Sequence, residues 1–139
     1  MYWAEKEVPS LELCKKLKKM GYPQDEDNSK FFWGGFWWVT TLTQDWHISF
    51  GLNVEWAEEN RGNYIKAPTC HELEEWLIKK PVIAKLGKLY IEYDEALKWI
   101  ICYGKAGKQC IMDDIKINAY AKMVIWLKEN EYINFNKGD

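Results

Sequence analysis

Lys88-Leu89-Tyr90-Ile91-Glu92-Tyr93 and Lys98-Trp99-Ile100-Ile101-Cys102-Tyr103, with Asp94-Glu95-Ala96-Leu97 between them, read as two strands and the turn that joins them. So short a connection makes the two strands antiparallel neighbours. Upstream, Phe31-Phe32-Trp33 and Phe36-Trp37-Trp38-Val39-Thr40-Thr41-Leu42 flank Gly34-Gly35. Paired glycines between strand-like runs predict a second hairpin, because a type I′ turn needs positive φ at both central residues. Thr43-Gln44-Asp45 reads as the next turn, and Trp46-His47-Ile48-Ser49-Phe50 alternates, with Trp46, Ile48 and Phe50 on one side. Residues 51–62 read as an acidic loop carrying Glu55, Glu58 and Glu59, Tyr64–Ala67 as a short strand, and Gln109–Met112 as an edge strand.

Three helices surround these runs. The first spans Ser10 to Met20: Ser10 is a good N-cap, and Leu13, Cys14, Leu17 and Met20 recur at helical spacing. Gly21 supplies the left-handed residue that ends it, and Tyr22 falls where a Schellman motif contacts Leu17. The second begins at Thr69, where Thr69-x-x-Glu72 matches a capping box, and is expected to end near Lys80 before Pro81. Val82–Leu86 is ambiguous. The last helix runs to Asn130, with Ile117, Tyr120, Ala121, Val124 and Leu127 as its buried stripe and Lys122, Trp126 and Glu129 off it. The expected fold is therefore α+β: a mainly antiparallel, aromatic-rich sheet built from hairpins, with three helices in the order α-βββ(β)-α-ββ(β)-α.

The 139 residues predict a single α+β domain over 1–139. An apolar content of 47% with 29% charge excludes a disordered chain. A net charge of −2 and a single arginine, Arg61, argue against a long nucleic acid as partner. No run is long enough to cross a membrane, and the start, Met1–Glu7, lacks the basic and apolar regions of a secretory leader. The expected location is the cytoplasm, where three or all four of Cys14, Cys70, Cys102 and Cys110 would be reduced. None of the four lies close enough to another to form a Cys-x2-Cys metal half-site.

The unusual entry is 16% aromatic content. An antiparallel sheet covered on one side alternates apolar and polar residues. In Phe36–Leu42, however, Phe36, Trp38 and Leu42 oppose Trp37 and Val39, and in Lys98–Tyr103, Trp99, Ile101 and Tyr103 oppose Ile100 and Cys102. Bare rings on a second face would exceed the apolar patch a soluble monomer tolerates. Three covers remain open: the chain's own helices and loops, a second copy in a homodimer, or a partner or flat ligand.

The expected function is a non-enzymatic binding protein that engages a host protein or a small nucleotide-like ligand, with no cofactor. The candidate ligand-binding residues are Trp37, Trp38, Tyr90 and Trp99, with Lys88 and Lys98 as anion partners, since a base stacks on an aromatic while a lysine meets a phosphate. The alternatives are a small metal-dependent hydrolase or nuclease using Asp113, Asp114 and the Glu55–Glu59 loop, and a structural or assembly subunit. A phosphate loop is absent. Cys70-His71 at a helix start is not a catalytic pair, because adjacent helical residues point about 100° apart.

Three segments together carry a resemblance: Pro9–Gln24, with Leu17-Lys18-Lys19-Met20-Gly21-Tyr22-Pro23 at its end; Ala67-Pro68-Thr69-Cys70-His71-Glu72-Leu73-Glu74-Glu75-Trp76-Leu77; and Asn118–Ile133. They resemble small uncharacterised phage and prophage proteins of gut bacteria with Bacteroides-like hosts. The resemblance implies a mobile-element origin and a bacterial cytoplasmic location, with no catalytic residue to carry over; the role expected of the binding protein is counter-defence. Glu131 stands where such proteins commonly have a helix-ending glycine.

Overall fold

The computed structural model describes residues 7–24, 31–32, 34–42, 44–96, 98–104 and 110–135. The described chain is α+β, with every strand pair antiparallel, and it divides into two compact units, Met1–Thr69 and Cys70–Asp139. In order, the elements are α1 (Leu11–Lys19), β1 (Phe31–Phe32), β2 (Phe36–Val39), β3 (His47–Ser49), β4 (Leu52–Asn53), α2 (Val54–Glu59), β5 (Asn63–Lys66), α3 (Cys70–Leu77), α4 (Lys80–Leu86), β6 (Leu89–Asp94), β7 (Lys98–Tyr103), β8 (Cys110–Asp113) and α5 (Lys116–Glu129).

In the first unit β2 is the centre of a three-stranded sheet ordered β3-β2-β5. Trp37 lies opposite Ile48 and Ile65, and these side chains pack with Val8, Leu11 and Cys14 at the start of the chain and on α1. Phe36, on the other face, packs with Trp38, Tyr64, Leu52 and Val54. Both faces of this sheet are thus covered within the unit. Each large apolar side chain buried this way contributes about 1.5–3 kcal/mol relative to exposure.

Two expectations change here. Gly34-Gly35 does not turn a hairpin: β1 pairs with β4, and β2 pairs with β3 and β5. Gly35 is small for a packing reason. A Cβ there would lie 2.6 Å from the Ala67 carbonyl oxygen and 2.9 Å from Val8 Cγ1, while its own carbonyl accepts the Ala67 N–H at 2.9 Å. The acidic segment also contains a helix, α2, capped by Asn53, whose side chain accepts the Trp56 N–H at 3.0 Å. The strand begun at Phe36 ends at Val39, which leaves Leu42 exposed in the following turn.

The second unit is built on the β6-β7-β8 sheet. Ile101 and Tyr103 are fully buried on its helix side, and the Tyr103 hydroxyl donates to the Leu77 carbonyl at 2.7 Å. Tyr120 of α5 donates to Glu74 of α3 at 3.0 Å. All five expected stripe residues of α5 are buried, and Ala119, Met123 and Ile125 are buried as well. Pro81 does not terminate α3. It sits in the first turn of a separate helix, α4, where its missing N–H costs nothing.

The cysteines depart from the three or four thiols expected. Cys14 and Cys70 stand outside any disulfide, whereas Cys102 and Cys110, directly opposite each other on β7 and β8, form one.

Helix ends α1 and α5 share one device. At α1 the Gly21 N–H donates to Lys18 and the Tyr22 N–H to Leu17, with Gly21 at φ 98°. At α5 the Glu131 N–H donates to Lys128 and the Tyr132 N–H to Leu127, with Glu131 at φ 62°. Both are Schellman motifs, but only the first puts glycine in the left-handed position. A side chain with a Cβ costs roughly 1 kcal/mol there. Glu131→Gly is therefore expected to raise unfolding free energy by about 1 kcal/mol, measured by urea denaturation; an unchanged or lower midpoint would contradict this account of the helix end.

Candidate functional site

Strand register sorts the side chains of the second unit's sheet. Leu89, Ile91 and Tyr93 lie opposite Tyr103, Ile101 and Trp99, on the side that meets α3 and α5. Lys88, Tyr90, Glu92, Asp94, Lys98, Ile100, Cys102, Cys110 and Met112 occupy the alternate positions and share the opposite face. On that face Tyr90 is 49% and Met112 51% exposed, against a half-buried Ile100. A shallow hollow of about 250 Å³ there is lined by Tyr90, Glu92, Ile100, Gly104 and the Cys102–Cys110 bridge, with Tyr103 at its edge. The Tyr90 ring passes close over Gly104, since a Cβ on Gly104 would sit 3.0 Å from Tyr90 Cε2. Glycine here leaves room for the ring.

The expected binding residues fall into separate groups. Trp37 and Trp38 belong to the first unit and point to opposite faces of β2. The Trp37 indole donates to the Pro9 carbonyl at 3.1 Å, which fixes it as a packing residue. Trp38 meets Trp56 edge-on, with centroids 5.5 Å apart, and lies 5.0 Å from the His47 ring. In the second unit Tyr90, Lys88 and Lys98 share the open face, the two lysines at opposite ends of the hairpin. Trp99 lies on the helix side, 5.2 Å from Tyr93, with Lys116 Nζ 5.1 Å from its ring centroid. Tyr90 and Trp99 are therefore not two walls of one stacking site.

The acidic candidates do not converge on one site: Asp114 is exposed just past β8. Asp113 accepts the Ile115 N–H at 2.9 Å and pairs with the Lys122 ammonium, which makes it a turn-forming residue at the start of α5. Glu55, Glu58 and Glu59 are exposed on α2 in the first unit. Among the described residues no group of three or more His, Cys, Asp or Glu side chains is placed to hold a metal ion. His71 pairs with Glu75 at 3.5 Å on the exposed surface of α3, one helical turn on, rather than with Cys70.

One feature that sequence reading missed lies where the chain leaves α5. A groove of about 500 Å³ runs between the start of α4 and residues 131–134, lined by Lys79, Pro81, Val82, Lys128 and Tyr132 among others. That volume is in the range of small-molecule sites. Its two cations, however, are seated over rings: Lys79 Nζ is 3.9 Å from the Trp76 centroid and Lys128 Nζ 6.0 Å from that of Phe135. Trp76 and Phe135 meet edge-on at 5.1 Å. Lys79 lies past the end of α3, in the link to α4, and Phe135 is remote in sequence, so neither contact left a periodic signal.

Burial, partly offset by a hydrogen bond from Trp37, pushes the Cys14 thiol up to about 12, so it stays protonated across the physiological range. Cys70 is only half-buried. Alkylation of the native protein at pH 8 followed by peptide mass spectrometry is expected to label Cys70 and spare Cys14 until denaturant is added; prompt labelling of Cys14 would show that α1 does not seal the first unit's core.

No protein-family model, curated protein or solved structure matches the chain. The site's reading therefore rests on its own geometry. No helix among the described residues is long and apolar enough to cross a membrane.

Proposed function

We propose that the chain is a non-enzymatic binding protein and that the open face of the β6–β7–β8 sheet recognises another protein. One observation carries this reading: Tyr90 and Met112, each about half exposed, stand on one face with Ile100, whereas the first unit covers both faces of its own sheet. Tyrosine and methionine are enriched at the centres of protein interfaces, and an open apolar patch is a common mark of one.

The same geometry favours a protein over a nucleotide. A hollow of about 250 Å³ is smaller than most sites that enclose a small ligand. The Glu92 carboxylate lines it and repels a phosphate, while Lys88 and Lys98 stand at opposite ends of the hairpin. We infer a bacterial host protein as the partner and the cytoplasm as the location.

A photo-crosslinking amino acid at position 112, expressed in the host, tests this reading against the same probe at Glu75 on α3. The expected result is one dominant adduct from position 112 that is absent from position 75. Tyr90→Ala is expected to weaken it about 5- to 30-fold, the effect of truncating an interface anchor worth about 1–2 kcal/mol. Equal adducts from both positions, or an adduct indifferent to Tyr90→Ala, would contradict the proposal. Saturable shifts of the Tyr90 ring resonances on adding mononucleotides would replace it with the small-ligand reading.

A further inference from the structure

The β6 strand is the edge of its sheet, paired on one side only, with β7. The direction of its main-chain groups follows from two observations. The Gly104 N–H donates to the Lys88 carbonyl, so the Lys88–Gly104 pair is hydrogen-bonded. Cys102 and Cys110 have Cα atoms 4.4 Å apart, the spacing of a pair that is not hydrogen-bonded, so the Cys102 main chain turns toward β6 and its partner Tyr90. Lys88, Tyr90, Glu92 and Asp94 therefore bond β7, and Leu89, Ile91 and Tyr93 turn their N–H and C=O groups to the open edge. Among the described residues no main-chain hydrogen bond meets these three on that side. Four of the six β6 residues are exposed.

We propose that β6 is the interface of a homodimer, in which two copies of the strand pair antiparallel about a two-fold axis through Ile91 and join the two sheets into one. Polarity and charge select this register. Hydrogen bonds across a two-fold require residues that both face the edge, so the odd-numbered set must meet itself. Centring on Ile91 sets Leu89 opposite the second copy's Tyr93 and Ile91 opposite Ile91, forming about six backbone hydrogen bonds. On the other face Lys88 comes opposite Asp94 and Tyr90 opposite Glu92, so the ends of the interface carry two ion pairs of opposite sign. Centring on Glu92 would oppose two carboxylates, and centring on Tyr90 would shorten the ladder. A second copy is thus the occupant for which β6 is complementary in hydrogen bonding, apolarity and charge. The proposal concerns the edge of the sheet and does not depend on the role given to its face.

Charge exchange tests the register. Lys88→Asp places two carboxylates at each end of the interface, and Asp94→Lys places two ammonium groups there, whereas a mixed dimer of the two variants restores opposite signs at both ends. Sedimentation velocity from low to high micromolar concentration is expected to show a reversible dimer for the wild type, a monomer for each variant alone, and a dimer for their equimolar mixture. Ile91→Pro serves as a second variant: it removes an outward N–H at the centre of the ladder, which an edge strand tolerates, and is expected to give a folded monomer. A monomeric wild type at the highest concentration, a dimer unaffected by the single exchanges, or no recovery on mixing would each overturn the proposal. Failure of the face as a binding surface is read separately, because a chain that dimerises through β6 and yields no adduct at position 112 sinks only that role.

Discussion

Phe36 and Trp37 are neighbours on one strand, and a pleated strand sends neighbours to opposite sides. Neither ring can be left in water without forfeiting a large part of the first unit's stabilisation, so this small sheet needs two covers. α1 and the segment before it supply one, over Trp37, Ile48 and Ile65. Leu52 and Val54, in β4 and α2, supply the other, over Phe36, Trp38 and Tyr64. The remaining architecture of that unit follows from this demand. The close approach of Val8 and Ala67 to Gly35 holds the first cover down, and the Asn53 cap starts the helix that forms part of the second.

The second unit answers the same demand on one side only. α5 is buried along much of its circumference, and Tyr103 and Tyr120 tie β7, α3 and α5 together through buried hydroxyls. For both hydroxyls burial raises the pKa well above the ordinary tyrosine value, with Glu74 adding to the effect at Tyr120. They therefore remain donors throughout the neutral range. On the opposite face no described residue provides a comparable cover, and Tyr90 and Met112 mark the difference. A single fold class thus contains two solutions: one sheet packed on both faces, and one packed by helices on one face.

Local signals carried far in the sequence. The hairpin from β6 to β7 was legible because its strands adjoin and its turn is short, and the ends of α1 were legible because Ser10, Gly21 and Tyr22 each have a stated local role. The pairing of β1 with β4 was not, since strands separated by some twenty residues leave no local mark, and Gly34-Gly35 mimicked a turn while answering a packing need. α2 is six residues long, too short for periodicity, although Asn53 signalled its start. α4 was hidden because a proline can open a helix as readily as it closes one. At the candidate site, period-two alternation puts Lys88 and Tyr90 on one side of β6, but the register that adds Lys98 to that face and sends Trp99 to the other is not local. Trp37 and Trp38 were not separable from binding residues until their covers were known, and the Cys102–Cys110 pairing depends on a strand register that the sequence does not encode locally.

The central claim is an asymmetry of cover between the two sheets. The first is packed on both faces, with Phe50 and Trp56 part-exposed at its margin. The second buries Ile101 and Tyr103 on its helix side, where only the hairpin-end Tyr93 is exposed, and leaves Tyr90 and Met112 exposed on the other. Hydroxyl-radical footprinting with residue-level mass spectrometry tests it most directly. The account predicts rapid oxidation of Met112 and Tyr90 in the isolated protein, with Phe36, Tyr103 and Tyr120 protected until the chain unfolds. Protection of Met112 and Tyr90 equal to that of the buried tyrosines, in a sample shown to be monomeric, would contradict it.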